Sequence, residues 1–180
     1  MGELKAHTDT LLETAQNLLE VHPDAKFLIP ATNDKNVHFI KGRIRNNPTK
    51  NLKLIKGKVD EILSSSNIAI AASGTASLQI ALHKKPMIII YKGSWISYFI
   101  WKMVRLIPNV SLPNILLNEN FVPEMLQHRA TPNLLSEKAC EIINDKKYSK
   151  KIEFKFNRLH KDLKKNTSSL IFKIIKPYLK

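Results

Sequence analysis

The feature that most constrains the fold is an alternation of short apolar segments with short helix-forming segments. Between residues 26 and 91, runs of four or five residues rich in Ile, Leu and Ala are each followed by a turn and a helical pattern. Connections of this length are typical of parallel strands joined by crossover helices. The sequence therefore predicts an α/β fold with a doubly wound, mostly parallel sheet, followed by C-terminal helices.

The same pattern predicts the bounds of the elements. Strands are predicted at Lys26–Pro30, Leu52–Ile55, Ile68–Ala71, Met87–Tyr91 and, with a weaker pattern, Val110–Leu112. Helices are predicted from near Thr8 to the turn at Pro23, and over Val37–Ile44, Val59–Ser65, Thr75–Leu82, Ser94–Leu106, Pro123–His128, Pro132–Asn144, Lys150–Lys165 and Thr167–Tyr178. Thr131 is the expected N-cap of the helix that begins at Pro132. Because the chain opens with a helix, we expect the first strand of such a domain to lie in another segment or in a longer protein.

Composition excludes several classes of protein. With 180 residues, 43% hydrophobic and 24% charged, the chain has the balance of a globular domain, not of a disordered or low-complexity one. The longest apolar runs fall far short of the ~20 residues that span a bilayer, and no secretory signal is expected. Cys140 is the one cysteine, and the six His have no metal-ligand spacing. We therefore expect a cytoplasmic protein without a disulfide, a metal or a cofactor.

Charge indicates the class of partner. The net charge is +14, and residues 145–180 hold 12 basic and 3 acidic residues, which is +9 of that total. Such a field favours nucleic acid, acidic lipid headgroups or phosphorylated substrates, although a Lys-rich proteome with solvated helical faces gives the same number. No RNA-recognition or OB-fold signature is present, so nucleic acid is not a predicted partner. The segment from Trp95 to Arg105 mixes aromatic and basic residues, which fits either a helix buried beside the sheet or one at a membrane surface.

The strongest local motif is the turn Ser73-Gly74-Thr75-Ala76, between an apolar strand and a helix. Hydroxyl groups and free N–H groups at a helix N-terminus suit an anion, and glycine lets a phosphate approach the backbone. In parallel sheets this turn lies at the carboxyl end of a strand, where ligands bind. An ordinary strand-to-helix turn has the same residues, so both interpretations stay open on the motif alone.

Three further positions are weaker candidates. Gly57 follows a strand in the same way, so its loop can meet a base edge or be a plain turn. Gln79 lies one helical turn after Thr75, where it can reach a ribose hydroxyl or face solvent. Asn114 follows Ser111-Leu-Pro and is, taken alone, part of an ordinary turn.

Taken together, four segments resemble lipid-A-disaccharide synthases. They are LLETAQNLLEVHPDAKFLIPAT, ASGTASLQIALHKKPMIIIY, SWISYFIWKMVRLIPNVSLPNILL and NFVPEMLQHRATPNLL, in this order and at the family's spacing, within about residues 3 to 144. The resemblance implies a GT-B fold of two Rossmann-like domains, the second of which binds the nucleotide. It also implies inverting transfer, without a metal, of 2,3-diacylglucosamine from its UDP conjugate to lipid X in lipid A biosynthesis.

The resemblance also implies site residues. Ser73, Gly74, Thr75 and Ala76 correspond to the segment at the UDP phosphates, and Gly57 and Lys58 to the loop at the uracil. Gln79 takes the place of a ribose-binding acid, and Asn114 and Gln127 belong to segments that face the cleft. No catalytic residue is assigned to this chain.

The sequence departs from the family in three places. Gln79 stands where the family usually has Glu, and Glu119-Asn120-Phe121 replaces a Gly-Arg. The family's LPGSR loop and its acceptor domain, which carries the catalytic acid, would precede Met1. The resemblance thus implies the C-terminal half only, with a UDP-sugar-binding domain at 1–144 and a basic helical extension at 145–180.

Two functional hypotheses follow. The first is the nucleotide-sugar half of the synthase, inactive without an N-terminal half and peripherally bound to the cytoplasmic face of the inner membrane, with Trp95 or Trp101 as a minor apolar anchor. The alternative is a non-catalytic basic membrane-surface protein derived from that domain. In either case the absent first strand would leave open sheet edges beside Lys26–Pro30 and Ile68–Ala71, and we expect the lone chain to be marginally stable, aggregation-prone or a homo-oligomer.

Overall fold

The structure is a computed structural model that describes residues 2–93, 109–164, 171–172 and 174–178. The predicted helix Ser94–Leu106, with Trp95 and Trp101, lies outside the described residues, as does the first part of the predicted helix Thr167–Tyr178. Among the residues that are described, no helix is long and apolar enough to cross a membrane.

Short parallel strands alternate with helices along the described chain. The strands are β1 Phe27–Ala31, β2 Leu52–Lys56, β3 Ala69–Ala72, β4 Met87–Tyr91 and β5 Glu124–Leu126. The helices are α1 Gly2–Val21, α2 Asp34–Asn46, α3 Val59–Ser65, α4 Thr75–Leu82, α5 Leu112–Leu117, α6 Pro132–Asn144 and α7 Lys146–Leu163, with 3-10 turns at Gln127–Arg129 and Lys176–Tyr178.

The strands form two parallel sheets. In the first, β1 pairs with β2, with Phe27 opposite Leu52. In the second, the order is β3-β4-β5, with Ala69 opposite Met87 and Ile89 opposite Glu124. Helices cover both faces, so the predicted α/β, Rossmann-like doubly wound fold is confirmed.

The core lies on the two faces of the three-stranded sheet. Side chains of β4 alternate between the faces, and those from Met87 to Ile90 are fully buried. Met87 and Ile89 pack with residues of α3, α4, α5 and α7, and Ile88 and Ile90 pack with residues of α1 and α6. A strand buried on both faces reads as a continuous apolar run, which explains the sequence Met-Ile-Ile-Ile of β4.

The last described long helix belongs to this core. In α7, Ile152, Phe156 and Leu159 follow helical spacing and are buried in the cluster with Met87. Its outer face is basic. Thus the first part of the basic C-terminal region is packed against the sheet layer by one apolar stripe.

Two predicted elements are wrong. In place of the strand Val110–Leu112, the backbone N–H groups of Val110 and Ser111 bond to the Glu124 carboxylate, both at 3.0 Å, and α5 begins at Leu112. This contact joins residues 13 or more positions apart, so the local pattern does not reveal it.

The helix predicted at Pro123–His128 is also wrong, because this segment contains β5. The Ile89 N–H donates to the Pro123 carbonyl at 2.9 Å, and β5 continues the pairing along β4. Glu, Met and Leu favour a helix in isolation, but pairing with the buried β4 overrides that weak preference.

Candidate functional site

The loops that follow the strands gather the predicted residues at one edge of the fold. Gly57 and Lys58 follow β2, Ser73–Ala76 follow β3, and Gln127 follows β5. The Asp60 side chain of α3 accepts a hydrogen bond from Gln79 of α4, so these two helices are neighbours. In parallel α/β sheets, ligands bind at this carboxyl edge.

The turn before α4 is open to solvent. Gly74, its N-cap, has φ 142° and ψ −160°, a conformation that essentially only glycine adopts. No side chain caps the helix, and Gly74, Thr75 and Ala76 are exposed. A Cβ at Gly74 would meet no atom within 4 Å, so this turn offers backbone N–H groups and room for a phosphate.

The hydroxyl groups of Ser73 and Ser77 both bond to the protein backbone. The Ser73 hydroxyl donates to the Val110 carbonyl at 2.7 Å, which leaves it only as an acceptor. The Ser77 hydroxyl donates to the Gly74 carbonyl at 2.7 Å and accepts from the Leu112 N–H. These bonds fix the turn, and the exposed hydroxyl beside it is that of Thr75.

The loop after β2 has two consecutive residues with left-handed backbone. Gly57 has φ 67° and Lys58 has φ 56°, and the Gly57 N–H extends the ladder to the Ala31 carbonyl at 2.9 Å. A left-handed conformation at a residue with a side chain costs roughly 1–2 kcal/mol. Such strain is concentrated at functional sites, which makes Lys58 a position of interest.

Gln79 is held by a carboxylate that sequence analysis missed. Its Nε2 donates to Asp60 Oδ1 at 3.0 Å, and His83 Nε2 lies 2.9 Å from the same oxygen. The hydrogen bond with His83, then that with Gln79, lowers the pKa of Asp60 below its ordinary value. An ionised, exposed carboxylate therefore lies beside Gln79. The sequence feature that could have indicated Asp60 as a site residue is its position three residues after Gly57.

Asn114 is fully buried and makes four hydrogen bonds with protein. Its Nδ2 donates to the Val122 carbonyl and to Glu124 Oε1, both at 2.9 Å, and its Oδ1 accepts from the N–H groups of Phe121 and Val122. These bonds use every donor and acceptor of the amide. Asn114 thus holds the 121–122 backbone against α5, and its contact with a ligand stays a prediction.

Gln127 combines strain, burial and an unused donor. Its φ is 51°, it is 5% exposed, and its Oε1 accepts from the Gly93 N–H at 3.3 Å. Its Nε2 is buried, and the described residues offer it no hydrogen-bond partner. A buried unpaired donor is rare in folded proteins, so this amide has the capacity to bind a polar ligand group.

Lys92 is a second residue that sequence analysis missed. It follows β4 directly, and its ammonium donates to the Thr10 hydroxyl of α1 at 2.9 Å. A cation is thereby held at the carboxyl end of the central strand, and its position right after a predicted strand was the available signal. Within the described part of the chain, no group of His, Cys, Asp or Glu is arranged to hold a metal ion.

Comparison with curated proteins finds lipid-A-disaccharide synthases. The chain is 36% identical to that of Aromatoleum aromaticum over 181 residues, covering 99% of this chain and 46% of that protein. It is 36% identical to that of Dechloromonas aromatica, with 93% and 44% covered, and 32% identical to that of Methylobacillus flagellatus, with 99% and 48% covered. The chain spans about half the length of these relatives.

A family model gives the same result. The model described as lipid-A-disaccharide synthetase matches residues 1–175, which includes every segment that forms the carboxyl edge. The match does not favour the alternative of a non-catalytic basic membrane-surface protein derived from that domain. The chain belongs to the lipid-A-disaccharide synthetase family.

Proposed function

We propose that this chain is the nucleotide-sugar-binding half of a lipid-A-disaccharide synthase. In this proposal the whole enzyme transfers 2,3-diacylglucosamine from its UDP conjugate to lipid X. The observation that carries the proposal is the open turn Gly74–Ala76 at the start of α4, in a chain that matches the family over residues 1–175. The alternative of a non-catalytic membrane-surface protein does not explain why this turn is open.

The phosphates of UDP would bind at this turn. The N–H groups of Thr75 and Ala76 and the Thr75 hydroxyl are hydrogen-bond donors, and the N-terminus of α4 favours negative charge. Negative charge grows on the UDP leaving group as the bond to the sugar breaks. Donors that are already oriented toward that charge stabilise the transition state more than the ground state.

The remaining residues would orient the rest of the donor. Gly57 and Lys58 are positioned for the uracil, and the Asp60–Gln79 pair offers oxygens that accept from ribose hydroxyls. The unused Nε2 of Gln127 is a donor for a sugar hydroxyl. Binding by these groups would fix the anomeric carbon, so that the acceptor hydroxyl attacks from the face opposite UDP and inverts the centre.

Attack by the lipid X hydroxyl requires a base that takes its proton. We assign no such residue to this chain, and we propose that the base and the acceptor site lie in a second, N-terminal half. The transfer as proposed needs no metal ion. By itself the chain would bind UDP weakly and transfer no sugar.

Titration of UDP into the purified chain by calorimetry tests the proposal. We expect saturable binding that Thr75→Ala weakens roughly 3- to 10-fold, the worth of one hydrogen bond. Gly74→Val should abolish it, because valine is strained at φ 142° and fills the space where the phosphate would lie. A well-folded wild-type chain that shows no saturable UDP binding would refute the proposal.

Gly42→Val is the matched control for Gly74→Val. Gly42 lies in α2 and also has no atom within 4 Å of its Cβ position, but it is remote from the turn in sequence and has no left-handed φ. The Gly42→Val variant should bind UDP with the affinity of the wild type. Ser149→Ala, which removes an exposed hydroxyl in α7, is the control for Thr75→Ala.

We also propose peripheral association with the cytoplasmic face of the inner membrane, where acylated substrates reside. The outer face of α7 carries Lys147, Lys151, Arg158 and Lys161 around Phe154, whose side chain is 73% exposed. Each basic residue near an anionic surface contributes on the order of 1 kcal/mol. An exposed aromatic among cations is typical of helices that lie on membranes.

Flotation with anionic liposomes tests this second part. We expect binding to the liposomes at low salt and loss of that binding at high salt. The double variant Lys147→Glu/Lys151→Glu should weaken binding strongly, and Phe154→Ala should weaken it slightly. Binding that persists at high salt, or that never occurs at low salt, would contradict an electrostatic attachment.

A further inference from the structure

The half-buried carboxylate of Glu124, in β5, accepts four hydrogen bonds. Its Oε2 accepts from the Val110 N–H at 3.0 Å. Its Oε1 accepts from the Ser111 N–H at 3.0 Å, from the Ser111 hydroxyl at 2.7 Å and from Asn114 Nδ2 at 2.9 Å. Hydrogen bonds to a carboxylate are roughly twice as strong as bonds between neutral groups. Glu124 therefore holds the backbone of residues 110–112 firmly, at the point where α5 begins.

The same three residues also bond to the turn before α4. The Ser73 hydroxyl donates to the Val110 carbonyl at 2.7 Å. The Leu112 N–H donates to the Ser77 hydroxyl at 3.3 Å. Residues 110–112 thus connect the carboxylate to the turn through hydrogen bonds, although none of the four bonds of that carboxylate is made with the turn itself.

Ser77 fixes the direction of one peptide group in the turn. It is 0% exposed, and its hydroxyl and its N–H both donate to the Gly74 carbonyl, at 2.7 Å and 3.1 Å. The C=O and the N–H of a trans peptide group point in opposite directions. Because the Gly74 carbonyl points to Ser77, the Thr75 N–H of the same peptide group points away from α4, toward the open side of the turn.

The turn depends on such restraints because of Gly74. Glycine has more backbone freedom than any other residue, and no side chain caps α4 at this position. A binding loop that is already ordered binds its ligand more tightly, since less conformational entropy is lost on binding. Bonds that keep the Gly74 carbonyl in place therefore raise the affinity of the turn without contacting the ligand.

We propose that Glu124 is a positioning residue for the phosphate turn Gly74–Ala76. It acts through residues 110–112 and the buried Ser77 hydroxyl, which keep the Thr75 N–H directed toward a bound phosphate. The inference rests on the proposed function, because that function places the phosphates of UDP at this turn. It adds that the affinity for UDP depends on a carboxylate in another strand.

Glu124→Gln tests the proposal, because the side-chain amide has an acceptor at one end only. Its NH2 group meets either the Val110 N–H or the donors of Ser111 and Asn114, so part of the network is broken. We expect the affinity for UDP, measured by calorimetry, to fall roughly tenfold, which corresponds to an ordered turn in about one tenth of the molecules. Glu137→Gln, which changes an exposed glutamate of α6, is the matched control and should stay within about twofold.

Ser77→Ala tests the same network even if Glu124→Gln does not fold. It removes a fully buried hydroxyl, and the affinity for UDP should fall roughly 3- to 10-fold because the Gly74 carbonyl loses one of its two donors. Ser136→Ala is the matched control, since this buried hydroxyl donates to the carbonyl of Asn133, three residues earlier in α6, at 2.9 Å. Ser136→Ala should leave the affinity for UDP unchanged.

The double variant Glu124→Gln/Ser77→Ala distinguishes positioning from a general loss of stability. If Glu124 acts through Ser77, the double variant should bind UDP more tightly than the product of the two single effects predicts. A general loss of stability leaves the affinity of the folded molecules unchanged, and urea unfolding gives the folded fraction of each variant. Single effects that multiply in the double variant would contradict the inference.

An amide NMR spectrum without nucleotide gives a readout that is independent of UDP. The Thr75 and Ala76 signals should shift or broaden in Glu124→Gln and in Ser77→Ala, but not in the two controls. If the wild type binds UDP and both variants bind it equally well, the inference is refuted and the proposed function stands. If the folded wild type does not bind UDP, the proposed function is refuted. In that case unchanged signals in both variants would refute the inference too, and shifted signals would support it.

Discussion

Strand β4 of the β3-β4-β5 sheet and strand β1 of the β1-β2 sheet are both apolar, yet they differ in burial. Met87–Ile90 of β4 are fully buried between helices on both faces. Phe27, Leu28 and Ile29 of β1 are as apolar but only partly buried. The difference lies in the neighbours and not in the residues, since among the described residues β4 has a strand on each side and β1 has one. The burial of an apolar strand therefore depends on its neighbours in the sheet as well as on its own residues.

The largest expected effect is a loss of stability when one isoleucine side chain in each sheet is shortened to alanine. Ile89→Ala should lower the free energy of unfolding by about 2–5 kcal/mol, because it leaves a cavity in a fully buried cluster. Ile29→Ala should cost only about 1 kcal/mol, since the side chain is partly exposed. Urea unfolding of both variants gives the two values.

The same pair tests whether the difference comes from the missing neighbour. If a strand completes the sheet, the cost of Ile29→Ala should rise toward that of Ile89→Ala when the other half of the enzyme is bound, because Ile29 is then buried. Equal costs of the two truncations in the lone chain would show that the two sheets do not differ in the way we infer.

A smaller effect compares one buried amide with one exposed amide. Asn114→Ala should cost about 3 kcal/mol, because it leaves backbone groups of Phe121 and Val122 without partners in a buried site. Asn33→Ala removes the N-cap bond to the Asn36 N–H of α2 and a long, exposed bond to the Thr32 hydroxyl, and it should cost about 1 kcal/mol. Thermal unfolding distinguishes the two.

Aspartate at each position sharpens this second test. Asn33→Asp keeps the cap acceptor and should restore stability. Asn114→Asp cannot donate to the Val122 carbonyl and places a second carboxylate beside Glu124, so it should stay destabilised. Restoration at both positions would mean that Asn114 contributes no more than a surface cap.

The sequence allowed prediction of elements whose signals are local. Pro132–Asn144 begins after Thr131, which caps it by accepting from the Leu134 N–H, and Val59–Ser65, Thr75–Leu82 and Met87–Tyr91 have the predicted bounds. The predictions of a strand at Val110–Leu112 and a helix at Pro123–His128 were wrong. The conformations of these segments depend on the Glu124 carboxylate and on the edge of β4, which are distant in sequence.

The same distinction applies to the site. Glycine turns after strands are visible in the sequence, because a strand pattern, a glycine and a helix start are all local. The partner of a polar side chain is not visible, so the burial of Asn114, the Asp60–Gln79 bond and the Lys92–Thr10 bond were not predicted. The division of the chain into 1–144 and 145–180 stays a prediction, although α7 contributes Phe156 to the common core.

The smallest expected effect is a pH dependence that belongs to the well-packed half. Burial, helped by the charge of Asp145, raises the pKa of Tyr148 to about 12 from 10.0, and its hydroxyl donates to the Phe121 carbonyl at 3.0 Å. The folded state keeps this proton between pH 10 and 12, whereas the unfolded chain loses it. The contribution of Tyr148 to stability is therefore complete below pH 10 and is lost as the pH rises toward 12.

Tyr148→Phe isolates this effect from the titration of the lysines. The variant should be slightly less stable than the wild type at pH 8, since it lacks one hydrogen bond. Above pH 10 the wild type should lose stability faster, so its advantage over the variant should shrink and be gone before the pH reaches 12. Urea unfolding from pH 9 to 12 gives the unfolding free energies of both proteins. If the two curves run parallel, the Tyr148 phenol ionises as easily in the folded chain as in the unfolded one. This side of the three-stranded sheet would then be more accessible to water than the burial of β4 implies.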